Sequence, residues 1–472
     1  MPHLGTLETI YALASGAGRA GVAVIRVSGA VAGAALQALV GGDLPVPRQA
    51  MLKRLRHPKS GEILDDALVL WFPGPGSFTG EDVAELHVHG GLAVVDGVLA
   101  ALSTLAGLRL AEPGEFTRRA FENAKLDLTQ VEGLADLIEA ETEAQRKQAL
   151  RQSEGELGRL YDGWRDRLVR ALAHFEAELD FSDEELPEDL HTQVVGGVRA
   201  LIAEIHAHLR DGRQGERLRD GVRLAIIGPP NAGKSSLMNA LAQRDAAIVS
   251  DIAGTTRDVV EVHLNLAGYP LLVADTAGLR ETGDTIEQEG VRRAKSWAEG
   301  ADIKLAVFDG EALPKLDPTT RGMLENDTLV AINKSDASTQ GGTAAPSPDG
   351  TEVEGAGNGF PTSIDGHPVW PLSVKTGAGL DALLARLAEM VMERCRMSSD
   401  GPAPTRARHR EALQRTVEAL GRFLARQNPR HLGAELEAED LRLAVRELGR
   451  ITGRVDVEDL LDVIFRDFCI GK

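Results

Sequence analysis

Residues 225–236, AIIGPPNAGKSS, set Gly228, Gly233, Lys234 and Ser235 at the spacing G-x-x-x-x-G-K-S behind an apolar, strand-like run. That order suits phosphate chemistry: glycines let the backbone turn its N–H groups inward, the lysine reaches the outer phosphates, and the hydroxyl ligates magnesium. The candidate contacts are Asn231, Ala232, Gly233, Lys234, Ser235 and Ser236, with Asn231 and Lys234 nearest the reacting phosphate. Downstream, LLVADTAG ends a strand on Asp275 and continues through Thr276, Ala277 and Gly278. It offers a carboxylate for the magnesium shell and a backbone N–H for the outermost phosphate. LVAINKSD then puts Asn333, Lys334 and Asp336 at the end of another apolar strand, where ligands of open α/β sheets collect. The Asp336 carboxylate can accept two hydrogen bonds from the donors on guanine's pairing edge, where adenine presents an acceptor. The expected nucleotide is GTP, because a site that leaves a buried polar group unpaired discriminates by about 10⁴ to 10⁵. PLSVKTGAG supplies the last base-contacting loop, with Ser373, Val374 and Lys375.

Two departures from an ordinary switch GTPase bear on hydrolysis. The glutamine that orients water in Ras-like proteins is replaced by Leu279, whose aliphatic chain cannot hold a water. Glu281, Glu287 and Glu289 in RETGDTIEQEG are the available acids, and at least two of them belong to an ordinary charged helix face. Arg257 and Arg280 lie near in sequence, but neither is an obvious arginine finger. A cation can supply the missing charge: Asn231 offers a neutral oxygen, and SDIAGTTRD offers hydroxyls and carbonyls for a monovalent ion.

These residues need a scaffold, and 472 residues allow roughly three domains. Short β-like stretches run to about residue 120, as in a small α+β domain; helical spacing follows to about 210. Strand and helix patterns then alternate to about 390, and helices resume to the end. The expected architecture is α/β plus all-α, with the nucleotide-binding domain inserted into a helical one. The boundaries expected are 1–122, 123–220 for the first helical part, 221–385 for the insert and 386–472 for the second helical part. Residues 337–368, rich in Gly, Pro, Ser and Thr, read as a flexible surface insertion. With two cysteines, no signal-peptide pattern and no run long enough for a membrane span, a reducing cytoplasm is expected and no membrane partner.

The formal charge of −19 opposes broad adhesion to nucleic acid. The best local candidate is residues 406–430, with seven arginines against two glutamates, whose plainer reading is a solvated helix face. His87 and His89 in HVHGG share one strand face without a third ligand in view. The chain ends CIGK, and a terminal Lys472 does not fit a prenylation box.

GRAGVAVIRVSG, FPGPGSFTGEDVAELHVHGG, PGEFTRRAFENAKLDLTQVEGLADLI, GPPNAGKSSLMNAL, SDIAGTTRD, DTAGLRET and the terminal CIGK together resemble the tRNA-modifying GTPase family MnmE, also called TrmE, over nearly the whole length. The N-terminal block and CIGK carry more of that resemblance than the phosphate loop, which many GTPases share. The resemblance implies a folate-binding N-terminal domain that dimerises, a helical domain, and a GTPase domain within it. With the flavoprotein MnmG, as a heterotetramer, such proteins add an aminomethyl or carboxymethylaminomethyl group to the wobble uridine of tRNA, drawing on a formyl- or methylene-tetrahydrofolate. It further implies that Asn231, Ser250, Ile252 and Thr255 ligate potassium, that Ser235 and Thr256 ligate magnesium, and that Glu287 orients the hydrolytic water. Asp251, Ala253 and Gly254 complete the nucleotide-contacting loop. Arg26, Glu85, Lys125 and Lys472 match the folate contacts, and Cys469 would then lie near the one-carbon group. Ser250 stands where the family often has threonine, which keeps the hydroxyl. A ribosome-assembly GTPase would need an RNA-binding module such as a KH domain. A regulatory switch would need no folate domain.

Overall fold

The computed structural model describes residues 8–180, 190–244, 247–248, 261–275, 299–325, 327–337, 353–357, 360–396, 401–426, 434–455, 461, 464–465, 468 and 471. The chain divides into two compact units, one formed by 1–135, 152–201 and 412–472, the other by 136–151 and 202–411.

The first unit opens with a six-stranded sheet built from β1 (Thr9–Leu13), β2 (Ala20–Ser28), β3 (Met51–Arg56), β4 (Ile63–Phe72), β5 (Val83–Gly90) and β6 (Leu108–Leu110). Their spatial order is β3-β4-β5-β2-β1-β6, antiparallel except for the β1–β6 pair. Strand alternation sends Ile25, Val27, Leu86, Val88 and Val69 into one core, against Leu36 and Leu39 of α1 (Ala32–Val40) and Val98 and Leu102 of α2 (Leu92–Ser103). The intervening positions Arg26 and Glu85 therefore belong to the opposite face. Past α3 (Glu115–Glu122) the texture turns helical, with most of α4 (Leu128–Glu139), α6 (Glu156–Asp180) and most of α7 (Leu190–Leu209) in this unit, while α5 (Glu143–Ser153) falls almost wholly in the second. The C-terminal stretch returns to this unit. Phe423 meets Phe175 of α6 edge to face at 5.4 Å between ring centroids, and Phe465 and Phe468 pack with Leu128 and Val131.

The second unit holds α8 (Gln214–Asp220) and a nine-stranded sheet. Its strands are β7 (Val222–Ile227), β8 (Ala247–Ile248), β9 (Glu261–Leu266), β10 (Tyr269–Asp275), β11 (Ile303–Asp309), β12 (Thr328–Asn333), β13 (Val353–Gly357), β14 (Phe360–Ile364) and β15 (His367–Pro371). The order is β13-β14-β15-β12-β11-β7-β10-β9-β8, with β15, β12, β11, β7 and β10 parallel. The parallel strands are near-continuous apolar runs, as sheets covered on both faces require. Leu224, Ile226, Val273, Leu305 and Val307 are buried with Leu237 and Leu241 of α9 (Lys234–Ala242) and, past the short α10 (Pro318–Arg321), with Leu383 and Leu387 of α11 (Leu380–Cys395). The last helices, α12 (Ala407–Ala425) from residue 412 onward and α13 (Ala434–Thr452), belong to the first unit. Among the described residues no helix is long and apolar enough to cross a membrane.

One expectation is overturned. Residues 353–368, read as flexible insertion, hold β13, β14 and the start of β15, and they extend the sheet beyond β12. Phe360 and Ile364 are buried against Ile332, Phe308 and Val330. The turn between β14 and β15 is Asp365–Gly366, both at positive φ, the geometry of a tight hairpin. Residues 338–352 of that stretch lie outside the described residues.

Candidate functional site

β7 carries six residues to the rim of the sheet, and the chain turns through Gly228–Gly233 into α9. Asn231 sits at φ 63 and Gly233 at φ 95, so successive backbone units point around the turn. A Cβ on Gly233 would collide with the Asn333 amide, which together with the positive φ restricts this position to glycine. Lys234 is buried, and its ammonium donates to the carbonyls of Gly228 at 2.8 Å and Pro229 at 2.9 Å, across the mouth of the loop. Ser235 and Ser236 are exposed on the first turn of α9, beside the positive end of the helix dipole.

The base side is tied to this loop by one side chain. Asn333, buried at the end of β12, donates to Ala232 O at 2.9 Å and accepts from Val374 N at 3.1 Å. Its amide thus braces the phosphate loop against the loop that carries Ser373, Val374 and Lys375. Ser373 donates to Asp336 at 2.6 Å, and this hydrogen bond holds the exposed Asp336 carboxyl below its usual value. An exposed, ionised carboxylate three residues past a strand end is an acceptor open to solvent, as recognition of an N–H edge needs. Lys334, at φ 63, pairs with Asp309 at 2.6 Å and Glu311 at 3.2 Å, which raise its pKa in that order. Asp275 closes β10, which pairs in parallel with β7, so its backbone ends beside the start of the phosphate loop. Sequence reasoning supplied these residues; it missed Asp309 and Glu311, which no motif marks.

In the first unit, register brings two expected folate residues together. Arg26 of β2 lies opposite Glu85 of β5 and donates to its Oε1 from Nε at 3.0 Å and Nη2 at 2.9 Å. The Arg26 guanidinium also lies over Phe78 at 5.4 Å and Phe116 at 5.7 Å. Neither aromatic was singled out from sequence, although Phe78 stands within GSFTGED. Its loop is held from several sides. Lys125 donates to Pro75 O at 2.8 Å and Asn123 to Thr79 O at 2.7 Å, while Arg119, 2 % exposed, pairs with Glu81 at 3.1 Å. Lys125 therefore fixes the loop beside Arg26 and Glu85. Gly471 approaches so closely that a Cβ there would collide with Leu13 O at the end of β1, one strand position from Ala12, the register partner of Arg26. The histidine pair separates: His87 faces Glu85 at 3.4 Å, and His89 faces Asp65 at 2.7 Å.

Several expected residues lie outside the described ones: Ser250 to Arg257, Thr276 to Arg280, Glu281, Glu287, Glu289, Cys469 and Lys472, together with the side chain of Asp275. Cys395, by contrast, is buried, and burial pushes its thiol up to about 12, which leaves it protonated and unreactive.

Two family models match. The model for the "GTP-binding protein TrmE N-terminus" covers residues 9–125, and the model for the "MnmE helical domain" covers 128–469, through both helical stretches and the α/β unit between them. The chain belongs to the MnmE (TrmE) family. Its members are GTPases, and so is this chain. MnmE relatives match end to end: a "tRNA modification GTPase MnmE" of Paramagnetospirillum magneticum is 58 % identical over 98 % of this chain and 100 % of its own. One of the same name from Parvibaculum lavamentivorans is 56 % identical over 99 % and 100 %. The human "5-taurinomethyluridine-[tRNA] synthase subunit GTPB3, mitochondrial" is 51 % identical over 100 % of this chain and 94 % of its own.

Proposed function

We propose that this chain is a potassium-activated GTPase that, as a homodimer in the cytoplasm and together with an MnmG-type flavoprotein, installs an aminomethyl or carboxymethylaminomethyl group at C5 of the tRNA wobble uridine. The observation that carries the nucleotide half is the Asn333 brace, which holds the phosphate loop and the Asp336 loop as one GTP site. The tRNA half rests on relatives named for tRNA modification that match nearly the whole chain.

Among the described residues, Asn231, Lys234, Ser235, Arg26, Glu85 and Lys125 support the groups this reading requires. The exposed Ser235 hydroxyl next to Lys234, with Thr256, would hold magnesium, which neutralises charge on the phosphates. The exposed Asn231, with Ser250, Ile252 and Thr255, would hold potassium where an arginine finger acts in other GTPases. Lys234 would give up the Gly228 and Pro229 carbonyls for phosphate oxygens. Glu287 would orient the attacking water. In the N-terminal domain, Arg26 and Glu85, with Lys125 bracing the neighbouring loop and Lys472 at the chain end, would hold a formyl- or methylene-tetrahydrofolate. The Glu85 carboxylate suits an amino-pyrimidine edge. Arg26 holds it in place.

Hydrolysis of GTP in potassium and in sodium at equal ionic strength tests the activation. Faster turnover in potassium is expected; equal rates would remove the cation assignment. Nucleoside analysis of tRNA after incubation with the flavoprotein, folate, GTP and either ammonium or glycine identifies the group added. Taurine is the informative third amine, since the human relative is named for 5-taurinomethyluridine.

A further inference from the structure

An acidic chain that handles tRNA must present phosphate-binding surface locally, because its average field repels the polyanion. The stretch densest in arginine does not provide it. Arg406 pairs with Asp136 at 2.6 Å, Arg410 with Asp211 at 2.7 Å and Glu216 at 2.9 Å, and Arg422 with Asp440 at 2.9 Å, so that run is largely neutralised by carboxylates distant in sequence. Elsewhere in the first unit, a groove of about 230 Å³ runs between α6 and α7. Among the described residues its polar lining is Arg167, Arg170, His174 and Gln193, with Val194 and Gly197 on the facing helix and no carboxylate. Arg170 and His174 are exposed. Arg170 spends its Nε on the backbone carbonyl of Asp166 at 3.2 Å rather than on an acid. A Cβ added at Gly197 would meet nothing within 4 Å, so the α7 side leaves room for a bulky backbone. Three basic side chains spaced three and four residues apart lie along one helix face.

We propose that the groove between α6 and α7 docks the sugar–phosphate backbone of tRNA, with Arg170 and His174 contacting phosphates and Arg167 supporting them. The inference rests on the tRNA-modification reading above. Charge complementarity favours RNA over a protein partner, since among the described residues the wall carries cations without the carboxylates that a mixed protein interface would need. Contacts to phosphate position the substrate without reading its sequence. Arg170 and His174 take no part in GTP chemistry.

The test is binding of an unmodified, fluorescently labelled tRNA transcript to the full-length chain across a series of potassium chloride concentrations. Wild type should bind with a salt slope of several units. Arg170→Gln should lower that slope by about 1 and weaken binding several-fold, Arg170→Gln with His174→Gln should do more, and Arg170→Lys should restore most of the loss. GTP hydrolysis should stay unchanged in all variants, which controls for folding. If wild type binds and the double variant keeps both slope and affinity, the groove is not the docking surface. Loss of flavoprotein binding with tRNA binding intact would likewise overturn it in favour of a protein contact. Absence of salt-dependent binding by wild type contradicts the tRNA reading itself.

Discussion

At the scale of single residues, the nucleotide site depends on two side chains with separate tasks. Asn333 braces, and Asp336 is the proposed reader of the base. Asn333→Ala removes two buried hydrogen bonds and leaves the Ala232 carbonyl and the Val374 N–H to find other partners, a loss of about 1 to 3 kcal/mol. GTP affinity measured by titration calorimetry should fall at least tenfold, with base selectivity kept; unchanged affinity would show that the brace is dispensable. Asp336→Asn should instead exchange selectivity, favouring xanthosine triphosphate, whose edge replaces a donor with an acceptor. The pH dependence follows from the Ser373 hydrogen bond, which depresses the Asp336 pKa. A depressed carboxyl stays ionised above its ordinary range and is lost only as pH falls through the lower folded value. Guanine selectivity should therefore survive at pH 5, and Ser373→Ala should move its acid limb upward. His208 works in the opposite sense. Burial lowers its pKa from 6.5 to about 4, so the unfolded chain takes up the proton first. Its stability contribution is full above pH 6.5 and declines toward pH 4, by on the order of 2 kcal/mol. A His208→Leu variant followed by urea unfolding should lose much less stability over that window.

At the scale of elements, what the sequence revealed and what it hid divide along sequence distance. The β7–loop–α9 unit was legible because its signals sit within twelve residues: an apolar strand, glycines where the turn needs them, then a helix. The β14–β15 hairpin was not, because Pro361, Pro368, Thr362 and Ser363 dilute the apolar pattern to Phe360 and Ile364, and the adjacent Gly/Ser tract dominates the composition. Only the parallel pairing of β15 with β12 shows that these few side chains complete a core. The carboxylate partners of Arg406, Arg410 and Arg422 were hidden for the same reason, since they lie up to 270 positions away. Ile364→Ala decides whether the hairpin is structural. Buried at 0 % exposure, it should cost about 2 to 5 kcal/mol in chemical denaturation, whereas a flexible insertion would lose almost nothing.

At the scale of the whole molecule, a GTP site and a proposed one-carbon site belong to one chain, and each carries its own basis. Asp336 and Asn333 define the first. The Arg26–Glu85 pair beside Phe78 is where the second is proposed, near the point at which Gly471 approaches β1. If GTP turnover drives modification, a change of base specificity must carry over to the tRNA product. The deciding measurement is nucleoside mass spectrometry of tRNA after reaction with the flavoprotein, folate and ammonium, comparing wild type and Asp336→Asn under GTP and xanthosine triphosphate. The account predicts modified wobble uridine from wild type with GTP only, and from Asp336→Asn with xanthosine triphosphate and little with GTP. Equal modification by both proteins whichever nucleotide is supplied would contradict it.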